Sequence, residues 1–459
     1  MDMTSPLQDR TYRQLFTAQV VPSPVLACLP LRLPCLRTIW PAATPVSFLV
    51  RRLPSKWWPT SASPRSSVGS AHRLPRCRLL IALDVARAGF VLCLPFVTEV
   101  WQIYLLVFLL NACSAGFTPT FQATIPDILP DEAQYTRALS LSRLAYDIEN
   151  LLSPALAAAA LVVMSYDALF SANALAFLIS ALLVFSMRLP SLKPHEREHG
   201  VWHNMTFGIR AYLKTPRLRG LLALSLVVST AGAMVVVNTV IYVRDRLGGT
   251  ESDTAVVFAA AGAGSMVVAL MLPRFLGRLP DRPFMLVGGV VLGIGLLLGL
   301  TDPGLLALLP VWFVLGAGSS LIQTPAGRLL KRSAHKGDRP AIYAAHFALS
   351  HACWLLAYPL AGWIGATLGL TVAFTVLVFV ALTSTAAALA LWPAHDPVEV
   401  EHLHEALEHG HLHVHDEHHQ HAPEGWEGQE PHRHPHRHAP LKHKHPYVVD
   451  LHHQMWPSR

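Results

Sequence analysis

The chain lacks any Asp or Glu from Arg10 to Leu83. Charge is scarce elsewhere too: Asp, Glu, Lys and Arg make up 14% of the 459 residues, against 52% hydrophobic ones. Soluble domains carry about a quarter charged residues, so the bulk of this chain is expected in lipid. Its six cysteines form no CxxC pair, which argues against a disulfide framework and a thiolate metal site. No GxxxxGK[ST] loop occurs, so direct ATP coupling is not expected. The start, MDMTSPLQDRTYRQLF, shows no basic region followed by an apolar core, and no signal peptide is read there. Nothing marks an enzyme. The net charge of +7 is explained by basic segments between apolar runs and calls for no nucleic acid.

What is present is a series of apolar runs long enough to cross a bilayer, which takes about 20 residues. They fall at 79–98, 100–124, 139–164, 168–188, 220–243, 254–275, 284–301, 304–325, 341–366 and 369–392, and 15–70 has room for two more. Twelve spans are therefore expected. Basic residues collect in every second connection: Arg73, Arg76 and Arg78; Lys193 to Arg219; Arg274, Arg278 and Arg282; Arg328 to Arg339. Arg244 and Arg246 are the exception. The positive-inside rule then places both termini and the long middle segment in the cytoplasm.

The chain repeats itself. RLP at 73–75 recurs at 278–280, Thr118-Pro119 recurs as Thr324-Pro325, and Pro154 recurs as Pro359, at offsets of 205, 206 and 205. Such spacing points to two six-helix halves. The expected organisation is an N-terminal half over 1–189, a cytoplasmic central loop over 190–219, a C-terminal half over 220–392 and a tail over 393–459.

These halves, the basic middle loop and the basic turns GSAHRLPRCR (69–78) and GRLPDRP (277–283) resemble the major facilitator superfamily. The resemblance covers about 71–392 and implies an all-α membrane fold. The first turn has His72 where the family usually has Asp; the second keeps Asp281-Arg282. Arg73, Arg76, Arg78, Arg278, Asp281 and Arg282 are the turn-motif candidates. Asp84 and Arg87, spaced i, i+3 nearby, read as a structural gate network. GFTPTFQATIPDILP (116–130) and RALSLSRLAYDIENLLSP (137–154) resemble a bacterial exporter branch that includes siderophore exporters.

The tail holds 18 of the 25 histidines between His395 and His453, with eleven carboxylates interspersed. Candidate ligands are His402, His404, His409, His411, His413, His415, His418, His419, His421, His432, His434, His436, His438, His443 and His445. Imidazole suits nickel, copper, zinc and iron(II). His409 to His415 alternate, so an extended strand would place them on one face. Neutral imidazole is the ligand, so affinity is expected to fall below about pH 6.5. The competing reading is a solvated low-complexity tract; either way disorder is expected. A major facilitator chain with such a tail resembles the bacterial nickel-resistance exporters. That resemblance implies nickel(II) efflux across the bacterial inner membrane by proton antiport, no permanent cofactor, and a monomer. An organic-molecule exporter with a metal-buffering tail and a membrane-anchored metal sensor or store are the alternatives.

Ionisable groups inside membrane spans are functional candidates. Arg143, Asp147 and Asn150 share a helix face with Pro154; Asp147 is a candidate proton or metal carboxylate and Arg143 its partner, against a purely structural ion pair. Glu149 is assigned to a cytoplasmic funnel. His346, Ser350 and Cys353 share a face in the pseudo-symmetric helix and could offer nitrogen, hydroxyl and sulfur to a metal. His351 lies about 140° round from His346, so the two are not expected to chelate one ion. Asn111, Ser114, Thr118 and Gln122 form a polar stripe, and Gln323 is similar; the family's cavity-lining helices make these pathway candidates, while helix–helix contact is the alternative. His195, His199 and His203 read as residues of a solvated loop.

One stretch resists the scheme. Trp40 to Ser67, WPAATPVSFLVRRLPSKWWPTSASPRSS, holds five prolines and a Trp-Trp pair where two spans are missing. Tryptophan has only the codon TGG, so reading Lys56-Trp57-Trp58-Pro59 one base earlier spells Met or Val, Val, Ala. Continued to Ser67, the shifted frame is largely apolar. The expectation is a frame error over about 22–70 that corrupts the first two helices, and no site is assigned there.

Overall fold

The computed structural model describes residues 5–22, 76–187, 201–396, 399–404, 407–413, 432–438, 441–449 and 456. The anomalous stretch 23–70, the turn residues His72 and Arg73, the loop histidines His195 and His199, and His415, His418, His419 and His421 lie outside them.

Among the described residues thirteen α-helices follow in order: α1 (Arg10–Val20), α2 (Arg76–Cys93), α3 (Val100–Ile128), α4 (Glu132–Val163), α5 (Tyr166–Phe185), α6 (Val201–Lys214), α7 (Pro216–Ala233), α8 (Glu251–Met271), α9 (Pro273–Leu276), α10 (Asp281–Gly299), α11 (Leu305–Arg332), α12 (Arg339–Thr367) and α13 (Leu370–Leu391). Nine helical segments among the described residues are long and apolar enough to cross a membrane. All ten expected spans after residue 78 are helical. The tenth, α4, carries Arg137, Arg143, Asp147 and Glu149 and so is less uniformly apolar. Helices such as α13, LTVAFTVLVFVALTSTAAALAL, are apolar all round, the pattern of a segment with protein on one side and lipid on the other. Leu306, Phe379 and Leu356 accordingly stand exposed on the bundle surface.

The repeat is visible in where helices begin. α2 and α10, α3 and α11, α4 and α12, and α5 and α13 start 205, 205, 207 and 204 residues apart. α1 begins 206 residues before α7, its mate by the same spacing. The halves meet through α4 against α8 and α11, and through α3 against α12. Within the C-terminal half, α8 and α11 touch backbone to backbone. A Cβ on Gly316 would lie 1.8 Å from the Ala261 carbonyl oxygen, so no larger residue fits without moving a helix.

Three features depart from expectation. The central loop contains α6, whose Phe207, Ala211 and Tyr212 are buried at helical spacing. Gly208 permits this docking: a Cβ there would lie 2.2 Å from the Ala341 carbonyl oxygen of α12. α7 continues through two π-helical stretches, Met234–Asn238 and Ile241–Arg246. The described parts of the histidine tract, expected to be disordered, run instead as antiparallel strands: β1 (Glu399–His404) pairs β4 (Leu441–Pro446), and β2 (Leu407–His413) pairs β3 (His432–His438). Their alternating His-x-His sequence has the two-residue period of a strand.

Candidate functional site

On α4, one turn separates Arg143 from Asp147. The guanidinium reaches the carboxylate, Nη2 to Oδ1 2.9 Å. Both residues also cross to the other half. Ser265 of α8 donates its hydroxyl to Asp147 Oδ2 at 2.5 Å. Arg143 Nε donates to Ser265 Oγ at 3.0 Å, and its Nη1 donates to Gln323 Oε1 of α11 at 3.0 Å. Asp147 and Ser265 are buried; a carboxylate removed from water is tolerable only with such partners. The network therefore ties the halves through a group that can accept a proton. Arg143 follows Tyr135 by eight residues, about 12 Å along the helix axis.

Around Tyr135, at the end of the bundle carrying the basic segments, a second set of ties forms. Asp127, closing α3, accepts from Arg76 Nη1 of its own half at 2.6 Å and from Arg339 of α12. The Tyr135 and Tyr343 hydroxyls hydrogen-bond across the halves at 2.8 Å. Arg328 of α11 pairs with Asp281 at 2.9 Å and Glu132 at 3.1 Å, and donates to Thr136 Oγ1 at 2.8 Å. Lys331 Nζ donates to the Pro130 carbonyl at 3.0 Å. Of the turn-motif candidates, Arg76 and Asp281 thus enter these ties. Arg282 instead donates to the Trp392 and Leu389 carbonyls at 3.0 and 3.3 Å, and Arg78 and Arg278 are exposed. Asp84 and Arg87 pair with each other inside the N-terminal half. Ser180 donates to Asp84 at 2.7 Å, and the guanidinium of Arg87 lies 4.1 and 4.7 Å from the ring centroids of Phe117 and Phe177.

The other candidates are placed less centrally. Asn150 is exposed and donates to the Tyr146 carbonyl at 2.9 Å, so it does not join Asp147. Glu149 is half-buried. Asn111 and Ser114 donate to carbonyls one turn back, at 2.7 and 3.0 Å; Thr118 is half-buried and Gln122 exposed. On α12, His346 Nδ1 meets the Tyr212 hydroxyl of α6 at 3.0 Å. Ser350 and His351 both turn to the Phe347 carbonyl, at 3.1 and 2.7 Å, while Cys353 is buried. Among the described residues, no three His, Cys, Asp or Glu side chains cluster in a way that could hold a metal.

The histidine tract is tethered at both ends. Before it, Asp396 pairs with Arg332 and with Arg217 Nε at 3.5 Å, and accepts from Trp392 Nε1 at 3.1 Å. After it, Tyr447, Val448 and Val449 are buried, and Val449 joins the core of the C-terminal half. Trp456 packs on that core with its ring centroid 4.7 Å from the Arg217 guanidinium, and edge-on to Tyr447, centroids 5.2 Å apart. Both ends of the arm therefore meet on one buried arginine. Asp127, Tyr135, Ser265, Arg217, Asp396 and Trp456 were not singled out from the sequence. The apolar triplet Tyr447-Val448-Val449 within a polar tail was the available signal for the tether.

Comparison with known proteins agrees with this architecture. The Major Facilitator Superfamily model matches residues 70–298 and 222–427. An uncharacterised MFS-type transporter of Bacillus subtilis is 23% identical over 328 residues, 68% of this chain and 78% of that protein. The macrolide efflux protein A of Enterococcus faecalis is 30% identical over 125 residues, 26% of this chain and 38% of that protein. Among solved structures, the human organic anion transporter MFSD10 superposes with a TM-score of 0.65 at 12% identity, covering 83% of this chain and 99% of that one. A bacterial homologue of the iron transporter ferroportin, in an outward-facing state, gives 0.60 at 16% identity, covering 83% and 98%. At these identities the structural likeness speaks for the fold. The chain belongs to the major facilitator superfamily, a family of multi-pass membrane transporters rather than enzymes.

Proposed function

We propose that the protein exports nickel(II) from the cytoplasm in exchange for protons, with the histidine arm binding metal on the cytoplasmic side. The observation that carries this reading is the arm itself: a tract rich in imidazole, pinned at both ends on Arg217 at the end of the bundle where the halves are tied. Imidazole recruits late first-row divalent cations, and a tethered arm keeps them near the pathway mouth. Asp147 serves as the proton-accepting group. When it is ionised, Arg143, Ser265 and Gln323 hold the halves together; when it is protonated, the ion pair is lost and the tie weakens. Asp127–Arg339 and Tyr135–Tyr343 form the cytoplasmic gate that must part for loading. The partial resemblance to a macrolide efflux protein also supports export as the direction.

The same relative favours a second reading: an organic-molecule exporter whose arm only buffers metal. Cellular nickel content separates the two. Cells expressing the protein should hold less nickel than cells without it, and Asp147→Asn should abolish the difference. Equal nickel content in all three would defeat the first reading.

A further inference from the structure

The two strand pairs keep a common register. His404 stands opposite Leu441, and three residues on in each strand Leu407 stands opposite His438. Each pair is a two-stranded ribbon, and over the described residues the common register runs from Glu399 opposite Pro446 to His413 opposite His432. In this register charges oppose charges, Glu401 with Lys444 and Glu408 with Arg437. Histidines also oppose histidines: His409 with His436, His411 with His434 and His413 with His432.

Alternate residues of a strand share a face, so these six positions occupy one face of the ribbon. Directly opposed Cα atoms in an antiparallel pair stand about 4.5–5.5 Å apart. That is close enough for one residue from each strand to serve one ion. Successive pairs follow at about 6.8 Å along the strand. The strands themselves are rich in Glu, Lys, Arg, Gly410 and Pro435, a composition with little β preference. A cross-strand ligand would supply what the backbone lacks, because metal binding to a site formed only on folding is folding free energy.

We propose that the register pairs His409/His436, His411/His434 and His413/His432 are two-strand sites for late first-row divalent cations, each taking one histidine from each strand. This rests on the metal-binding reading of the tract and specifies its geometry. Runs of neighbouring histidines on one strand would bind without joining the strands; these sites need both.

The test uses the full chain in lipid nanodiscs with nickel(II) as the probe, counting bound ions per protein by equilibrium dialysis. His409→Gln/His411→Gln/His413→Gln removes one strand's ligands, and His432→Gln/His434→Gln/His436→Gln the other's. Each triple variant should lose as many ions as the sextuple variant. Losses that add, each triple giving about half, would overturn the two-strand assignment. A chain lacking 397–446 that binds as much nickel as wild type would remove the metal-binding reading on which it rests. Backbone hydrogen exchange gives an independent readout: nickel should slow exchange in 407–413 and 432–438 together, and protection of one strand alone would count against the pairing.

Discussion

Replacing Asp147 by Asn keeps an oxygen for the Ser265 hydroxyl but removes the charge facing Arg143, 2.9 Å away. Breaking a buried ion pair from one side costs about 3–5 kcal/mol. Arg143 retains its hydrogen bonds to Ser265 and Gln323, each contributing about 1 kcal/mol net. The expected destabilisation of Asp147→Asn is therefore about 1–3 kcal/mol. Arg143→Gln should cost a similar amount, since Asp147 keeps Ser265. The double variant leaves two neutral amides in hydrogen-bond reach of each other. It should be less destabilised than the singles summed, by about 1–3 kcal/mol. Denaturant unfolding in mixed micelles, across the four members of the cycle, measures this coupling. Additivity within about 0.5 kcal/mol would refute the idea that the pair acts as one unit between the halves.

Three other outcomes follow from single contacts. Asp302, in the turn between α10 and α11, has its carboxyl held below the usual range by hydrogen bonds from Arg246 and Tyr242 and by the Arg246 charge. Its stabilisation is thus full above the ordinary carboxylate value of about 3.9 and lost as pH falls through the lower folded value. Asp302→Asn, which tolerates the φ of 54° there, should flatten the fall in Tm between about pH 5 and 2; an unchanged acid limb would contradict the pairing. Gly208→Val should force α6 off α12 at a cost of about 1–3 kcal/mol, read as faster hydrogen exchange in 201–214 with the rest of the bundle unchanged. Trp456→Ala removes a cation–π contact of about 0.5–2 kcal/mol and should speed proteolytic cleavage after the arm, without lowering the Tm of the bundle.

Long apolar runs made the transmembrane architecture legible, because crossing a bilayer imposes a length that composition cannot hide. The repeat was legible for the same reason: punctuating residues such as Pro119 and Pro325 keep their place in each half. Boundaries were less so. α4 begins at Glu132, seven residues before the apolar run at 139, since its first turns EAQYTRA are polar and lie against the other half. α6 escaped because it is short and amphipathic, with an apolar face too narrow for a membrane window. The Arg143–Asp147 pair could be read from i, i+4 spacing, and Gln323 as a pathway candidate, whereas the contacts with Ser265 and Gln323 could not, since these lie 118 and 180 residues away in the chain from the groups they bond. The tract's alternation was visible, but its pairing in register joins positions as far apart as Glu399 and Pro446.

The central claim is the coupling of metal export to protons. Inside-out vesicles containing the protein, with an acidic lumen and nickel(II) added outside, test it most directly. Nickel should enter the lumen while protons leave, uptake should stop when the gradient is collapsed, and Asp147→Asn should abolish both fluxes. Nickel entry that is indifferent to the proton gradient, or absent while an organic cation or anion is exchanged for protons, would contradict the account.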